Sequence, residues 1–421
     1  MAGNRFPELW QQRMERELQT SVDNGLAGAV LHYGDLNGMI YERAFGYQRR
    51  YNQTALMPVP EPMRSNTIFD LASLSKIFAT LLALHKLVDS KTLSLDDTAA
   101  RYLPGFDTSE KRDLRLRDFL GHNAGFPGSF HFYDPAQSGA AMYSQDRART
   151  LALLGQVPLI NPPRTHTLYS DLDFLTLGAV IEAVTGLRLD HYLATEIYTP
   201  LGLQDIGYKL LEPDAGGSSH VGSNLNNRAI TDFSATERCG NTRDGHVSFP
   251  NIRTNTLQGQ VHDELSFYSM GQVSGHAGLF STAHDLGVLC RLLLNGGSLG
   301  SYTLCSPQTV ALFRQTFNLD QTYALGWELV TPATSLIFGL LAPQASKLGD
   351  VVAHTGWTGK CVMLDFMRGT YFLLLTNKKH SPVIVQPGGF NIFEGDLSPA
   401  AKYGNLADLY YGGLLAPAAS M

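Results

Sequence analysis

Phe69-Asp70-Leu71-Ala72-Ser73-Leu74-Ser75-Lys76-Ile77-Phe78-Ala79-Thr80 is the stretch whose reading decides the fold. Ser73 and Lys76 are three apart, so on a helix they share a face. A serine at a helix start would then have an amine one turn on. A hydroxyl is a weak nucleophile until a nearby base takes its proton, and a desolvated lysine can be that base. Ile77 to Leu84 is apolar almost all round, which predicts a buried helix. Its N-terminus would add positive field at the serine. By itself the Ser-x-x-Lys spacing also fits a capped helix with a solvated lysine; the motifs further along the chain decide between the two.

The 421 residues are enough for two or three domains or one large composite one. Apolar content of 44% with 17% charged residues is that of an ordinary globular chain. The net charge of −6 and the lack of a long basic run exclude nucleic acid as an expected partner. No window reaches about 18 uninterrupted apolar residues, so no membrane span is expected. The first 19 residues hold no apolar stretch of signal-peptide length, which implies a cytoplasmic chain or a mature or engineered start. Cys239, Cys290, Cys305 and Cys361 form no Cys-x-x-Cys pair and read as free buried thiols. No cofactor is expected, and the oligomeric state stays open.

Residues 6–23 have helical spacing. Ala27–Tyr33 and Met39–Gly46, joined by Gly34-Asp35-Leu36-Asn37-Gly38, read as a hairpin. Tyr47–Ser65 carries prolines and reads as a loop. From about 91 to 210 the patterns are mostly helical, including Ser144–Gly155 and Asp171–Val184. Leu211–Ser266 is irregular, and loops of that length usually carry function or are mobile; whether it closes over a cleft as a lid is left open. Thr282–Leu294 reads as a helix. Ala324–Leu329, Val351–Thr355, Cys361–Asp365 and Tyr371–Thr376 read as strands, and Pro399–Leu414 as a last helix. Strands at both chain ends and helices between predict an α/β (α+β) fold: a sheet built from 1–90 with 275–421, and a mostly helical unit over 91–274 holding the long loop 211–266. The serine would sit where the two meet, a usual place for a ligand cleft.

Two further motifs stand apart from this pattern. Tyr169-Ser170-Asp171 opens a helix, where a tyrosine hydroxyl near an ammonium can have a lowered pKa and relay protons. Asp171 would bind the lysine or a substrate amide, although an Asp N-cap after a packed tyrosine fits the same residues. His354-Thr355-Gly356-Trp357-Thr358-Gly359 lies on a strand, and a small residue there lets a substrate backbone lie alongside. The N–H groups of Ser73 and Trp357 could form an oxyanion hole; a polar strand edge with a turn is the plainer alternative. His262-Asp263-Glu264, with His246 and His276, matches no zinc spacing and reads as a structured loop near the cleft, so no metal is expected.

Ser-x-x-Lys, Tyr-x-Asp and His-Thr-Gly, in that order, resemble the serine penicillin-recognising hydrolases. The branch is that of class C β-lactamases, D-Ala-D-Ala carboxypeptidases and family VIII esterases. The resemblance runs from the hairpin at Ala27 through Phe69–Thr80, Leu120–Pro127, Tyr169–Gly178 and His354–Gly359. Gly240–Gly245, Phe249–Thr256, Gly259–Glu264, Tyr268–Gly271 and Val273–Ser281 resemble the penicillin-binding protein 4B type. The resemblance implies a β-lactamase/transpeptidase-like fold, with an antiparallel sheet flanked by helices and a helical insertion. It implies an acyl-enzyme on Ser73, with Lys76 as base partner, Tyr169 as relay, and Asp171, His354, Thr355, Gly356 and Trp357 against the substrate. His122, Asn123, Arg253 and His262 are further cleft candidates. The implied partners are a D-Ala-D-Ala-type peptide, a small ester or a β-lactam, turned over by a carboxypeptidase or esterase or held by a penicillin sensor that barely turns over. The implied place is the periplasm or cell envelope.

This chain departs from the pattern in three places. His354 stands where many relatives have lysine, so a substrate carboxylate would be held less well unless Arg253 or Lys360 helps. Asp171 stands where many have asparagine and would raise the Lys76 pKa. Pro163-Arg164 replaces a Pro-Gly before the tyrosine motif, a local turn change. Both charge changes imply weak β-lactamase activity.

Overall fold

The structure is a computed structural model that describes residues 6–211, 224–318, 320–387 and 391–416. A seven-stranded sheet is its backbone. The strands are β1 (Gly28–Asp35), β2 (Gly38–Asn52), β3 (Ala55–Pro62), β4 (Glu328–Leu329), β5 (Val351–Gly356), β6 (Lys360–Asp365) and β7 (Thr370–Thr376). Their order is β4-β5-β6-β7-β1-β2-β3, with every neighbour antiparallel. The join is β1 on β7, with Ala29 opposite Thr376 and Asp35 opposite Thr370. Strands from the two chain ends thus close one sheet, the α/β fold that the sequence predicts.

Both faces of this sheet are covered. Ala29, Leu31, Tyr33, Val351, Ala353, Met363, Phe372 and Leu374 face the helices Glu8–Asp23 and Tyr403–Leu415. Val30, Val352, Val362, Leu364, Leu373 and Leu375 face the larger core, which also holds Leu74, Phe78, Leu82, Leu286 and Leu289. That double cover explains why β7 reads as an unbroken apolar run rather than an alternation. The helix Asp171–Thr185 begins on a Ser170 N-cap, whose Oγ accepts the Leu172 N–H, and ends on Gly186 at φ +68°. The cap is therefore Ser170, and Asp171 is released to point elsewhere.

Two expectations are corrected. Residues 47–65 are mostly strand: β2 runs on to Asn52 and β3 returns. Pro58, Pro60 and Pro62 are tolerated because β3 is the sheet's edge, where a missing N–H breaks no ladder bond. The strand expected at 324–329 shrinks to Glu328–Leu329. The four cysteines are free and buried, as expected. No helix among the described residues is long and apolar enough to cross a membrane. Of the irregular stretch 211–266, residues 212–223 lie outside the described residues. The rest folds as short turns and a ladder of Ala235–Glu237 with Leu257–Gln258.

Candidate functional site

Ser73 is presented by a strained turn. Phe69–Asp70 pairs with Leu279–Ser281, and Ala72 then takes φ +47°, a left-handed conformation that is costly for a residue with a Cβ. Asp70 holds it there. One carboxylate oxygen accepts the Ala72 N–H at 2.8 Å, the other accepts the His262 N–H at 2.8 Å, and its carbonyl accepts the Thr358 hydroxyl at 3.0 Å. One buried residue thereby joins the serine turn, the 262 loop and the turn after β5. Burial pushes the Asp70 carboxyl up, against the pull of His262.

After Ser73 the chain winds as a π-helical segment, Lys76–Leu81, and continues as the α-helix Leu82–Asp89. π-Helical turns are frequent at functional sites. Lys76 is fully buried. Its Nζ donates to Ser73 Oγ at 3.0 Å, to Asp171 Oδ1 at 2.7 Å and to the His276 carbonyl at 3.1 Å. Three donors thus meet three acceptors. Asp171 can reach because two glycines let its helix come close: a Cβ on Gly178 would lie 3.1 Å from the Gly275 Cα, and one on Gly275 would lie 2.2 Å from the Phe174 carbonyl.

Tyr169 lies across Lys76, with Nζ 4.9 Å from the ring centre, and its hydroxyl is hydrogen-bonded to Ser73. The expected lowering of this phenol is reversed. Burial first, then Asp171, push it well above its ordinary value, while the Ser73 bond works the other way. The lysine does not lower it because Asp171 already balances that charge.

His354 on β5 is buried, 1% exposed. Its Nδ1 donates to the Thr355 carbonyl at 2.8 Å. Burial, with Lys76 nearby, pushes the ring down to about 3, so it is neutral at neutral pH. At Gly356 a Cβ would lie 2.6 Å from the Leu71 carbonyl, so its absence lets β5 close on the serine turn. Trp357 is 54% exposed at the cleft mouth, its ring 3.9 Å from Lys379 Nζ.

Ser73 opens on two hollows. One, of about 350 Å³, has Phe130, His131, Tyr133, Asp171, Arg243 and His262 among its walls. The other, of about 470 Å³, is lined by Tyr323, Glu328, His354, Thr355, Lys378 and Lys379 among others. Tyr169 and Trp357 border both.

The remaining candidates are placed as follows. His262 lines the first hollow, with Nε2 2.8 Å from Glu237. His122 does not reach the cleft. It is buried under Tyr169, ring centres 4.7 Å apart, with Nδ1 2.7 Å from Asp173; burial lowers the histidine and raises the acid. Asn123 accepts from Thr167 behind it. Arg253 is buried on Asn241 and the carbonyls of Val261 and His262, and Lys360 on the carbonyls of Thr358 and Thr376. Neither faces a substrate carboxylate. Arg164 takes φ +66° where relatives are expected to have glycine, and its guanidinium is anchored on buried Asp118 at 2.6 Å.

Sequence reasoning missed Asp70, Glu328, Tyr323 and the pair Lys378 and Lys379. A buried acid three residues before Ser73 was the one legible signal among them. Asp171, Asp263 and His276 bring ligand atoms within 4.8 Å of one another, but Asp171 is already bound by Lys76, and His276 Nε2 is 2.9 Å from Asp263.

A family model described as Beta-lactamase matches residues 8–396. The chain is 39% identical over 406 residues to a protein of Bacillus subtilis (strain 168) named "N-acetylmuramyl-L-alanine amidase", covering 95% of this chain and 88% of that one. It is 40% identical over 410 residues to a protein of Escherichia coli (strain K12) named "Putative D-alanyl-D-alanine carboxypeptidase", covering 96% and 90%. Among solved structures, EstCE1, a hydrolase with promiscuous acyltransferase activity, superposes with a TM-score of 0.66 at 22% identity, covering 96% of this chain and 99% of that one.

Proposed function

The chain belongs to the beta-lactamase family of serine hydrolases, and from that premise we propose that it cleaves an amide in peptidoglycan-derived peptides through an acyl-enzyme on Ser73. One observation carries the reading: a fully buried Lys76 amine 3.0 Å from Ser73 Oγ and 2.7 Å from Asp171. Once the Lys76 ammonium has passed one proton to Asp171, its amine takes the Ser73 proton as Oγ bonds to the substrate carbonyl carbon. The oxyanion lies between the backbone N–H groups of Ser73 and Trp357, which donate to no other group among the described residues. Tyr169, a neutral phenol, gives its proton to the leaving nitrogen and regains one from Lys76 as the C–N bond breaks. Water then attacks the acyl carbon, and its proton returns by the same groups. Asp171 gives the ammonium an acceptor into which it can pass a proton without changing the charge of the pair. The division into a sheet unit, 1–90 with 275–421, and a helical unit, 91–274, belongs to the same reading, with the cleft between them.

A D-alanyl-D-alanine-type peptide is one substrate, supported by the name of the Escherichia coli relative. A muramyl–L-alanine amide is the second, supported by the name of the Bacillus relative. The neutral His354 favours the second, because a leaving peptide that continues through its own amide needs no cation beside the scissile bond. The test is intact mass after incubation with a penicillin and with a short-chain ester, beside Ser73→Ala. A mass gain lost in Ser73→Ala supports the reading. A gain that survives the substitution sinks it. Product analysis on a muramyl peptide and on an acyl-D-Ala-D-Ala peptide then ranks the two bonds.

A further inference from the structure

The second hollow holds polar groups that the acyl-enzyme steps do not use. His354 carries its proton on Nδ1, so its Nε2 offers a lone pair, and this buried atom has no partner among the described residues. Glu328, on the edge strand β4 opposite Ala353, lines the same hollow. The Thr355 N–H donates to it, and it makes no salt bridge among the described residues. Burial raises its carboxyl to about 7, which leaves much of it ionised at neutral pH.

The cations nearby are already engaged. Lys378 and Lys379 lie 3.3 and 2.7 Å from Asp396, and Lys76 is held by Asp171. The hydroxyls of Tyr169 and Tyr323 are neutral, both pushed up by burial first. A carboxylate placed beside His354 would therefore meet a lone pair and, when Glu328 is ionised, a second carboxylate, while the two lysines of the hollow are matched in number by Asp396 and Glu328. An N–H or O–H placed there would meet two acceptors. An unmatched buried acceptor is costly, and a donor on the substrate removes that cost.

We propose that His354 and Glu328 form an acceptor subsite for the leaving half of the substrate, one that takes a hydrogen-bond donor next to the scissile bond and turns away a free carboxylate. The proposal rests on the acyl-enzyme reading above and narrows its substrate to compounds whose leaving group continues as an amide or ends in a neutral donor.

The test uses the full chain and a matched pair of esters of one acyl group, with lactate or lactamide as the leaving alcohol. The two differ only in a carboxylate against a carboxamide. The rate of acylation of Ser73 is read by intact mass, with p-nitrophenyl acetate as a leaving group that carries neither. The expected result is lactamide faster than lactate by about tenfold, with His354→Lys reversing the order. Glu328→Gln, which removes a charge and leaves the ring in place, should bring the two rates together by several-fold. Equal rates in the natural chain, a lactate preference, or a ratio unmoved by both substitutions overturns the subsite. So does acylation by p-nitrophenyl acetate with none by lactamide. Absence of acylation by all three esters instead counts against the acyl-enzyme reading, so the two failures are told apart.

Discussion

The Lys76 ammonium meets the Asp171 carboxylate at 2.7 Å across 95 residues of chain. Lys76 is fully buried and Asp171 about one quarter exposed. Removing the acid leaves the lysine with one hydroxyl and one carbonyl as partners. Asp171→Ala should therefore destabilise the protein by roughly 2–4 kcal/mol, a little below the cost of breaking a fully buried pair. Asp171→Asn keeps an acceptor and should cost less than half of that. Chemical denaturation of both variants measures it, and equal stability of the two would show that charge does not hold the pair.

Asp70 ties the serine turn to two other segments. Asp70→Ala leaves the Ala72 and His262 N–H groups without their acceptor and frees Ala72 from its strained conformation. Each unpaired buried donor costs about 1–3 kcal/mol. The acylation rate should fall far more than the affinity for a slowly reacting ligand, because Asp70 positions Ser73 and does not itself line either hollow. A loss of affinity with an unchanged acylation rate would contradict this role.

Lys360 supplies a pH test of stability. Burial pushes its amine down to about 7, against the ordinary value of about 10.4. Between those limits the unfolded chain binds more protons than the folded one, so this lysine makes stability rise with pH across that window and leaves it flat below about 7. Lys360→Met removes the contribution. The stability difference between the natural chain and the variant, measured by denaturation at several pH values, should climb from about pH 7 towards pH 10; a constant difference would rule it out.

Gly275→Ala should act at a distance on Lys76. The new methyl would fall 2.2 Å from the Phe174 carbonyl and push the Asp171 helix outward. Overpacking of this kind costs about 1–3 kcal/mol. The melting temperature should drop together with the acylation rate of Ser73. A variant that melts lower yet acylates normally would separate packing from the site.

Activity should survive EDTA. The three groups that come within 4.8 Å of one another include Asp171, which is bound to an ammonium. Loss of turnover on chelation, restored by a divalent ion, would overturn this.

Much of the fold was legible because period and punctuation are local. The hairpin at β1 and β2, the buried helix after Ser73, the Asp171 helix stopped at Gly186 and the strands β5 to β7 each carry their own pattern. The stretch 47–65 was misread because prolines argue against a strand unless that strand is an edge, and which strand is an edge is a property of the whole sheet.

The sequence by itself determined the three motifs, their order, and hence the residues that meet at the cleft. Spacing along a helix already set Ser73 beside Lys76. Only the tertiary structure decided what those groups are worth. It neutralised His354 and raised Tyr169 by burial, turned Arg253, Lys360 and His122 away from the cleft, and brought Asp70 and Glu328 into play. The physical reason is that hydrogen-bond partners and desolvation depend on what packs against a group in space. Three-residue spacing carries that information only within one helix turn, and Asp171, Glu328 and His354 come from elements far apart in the chain.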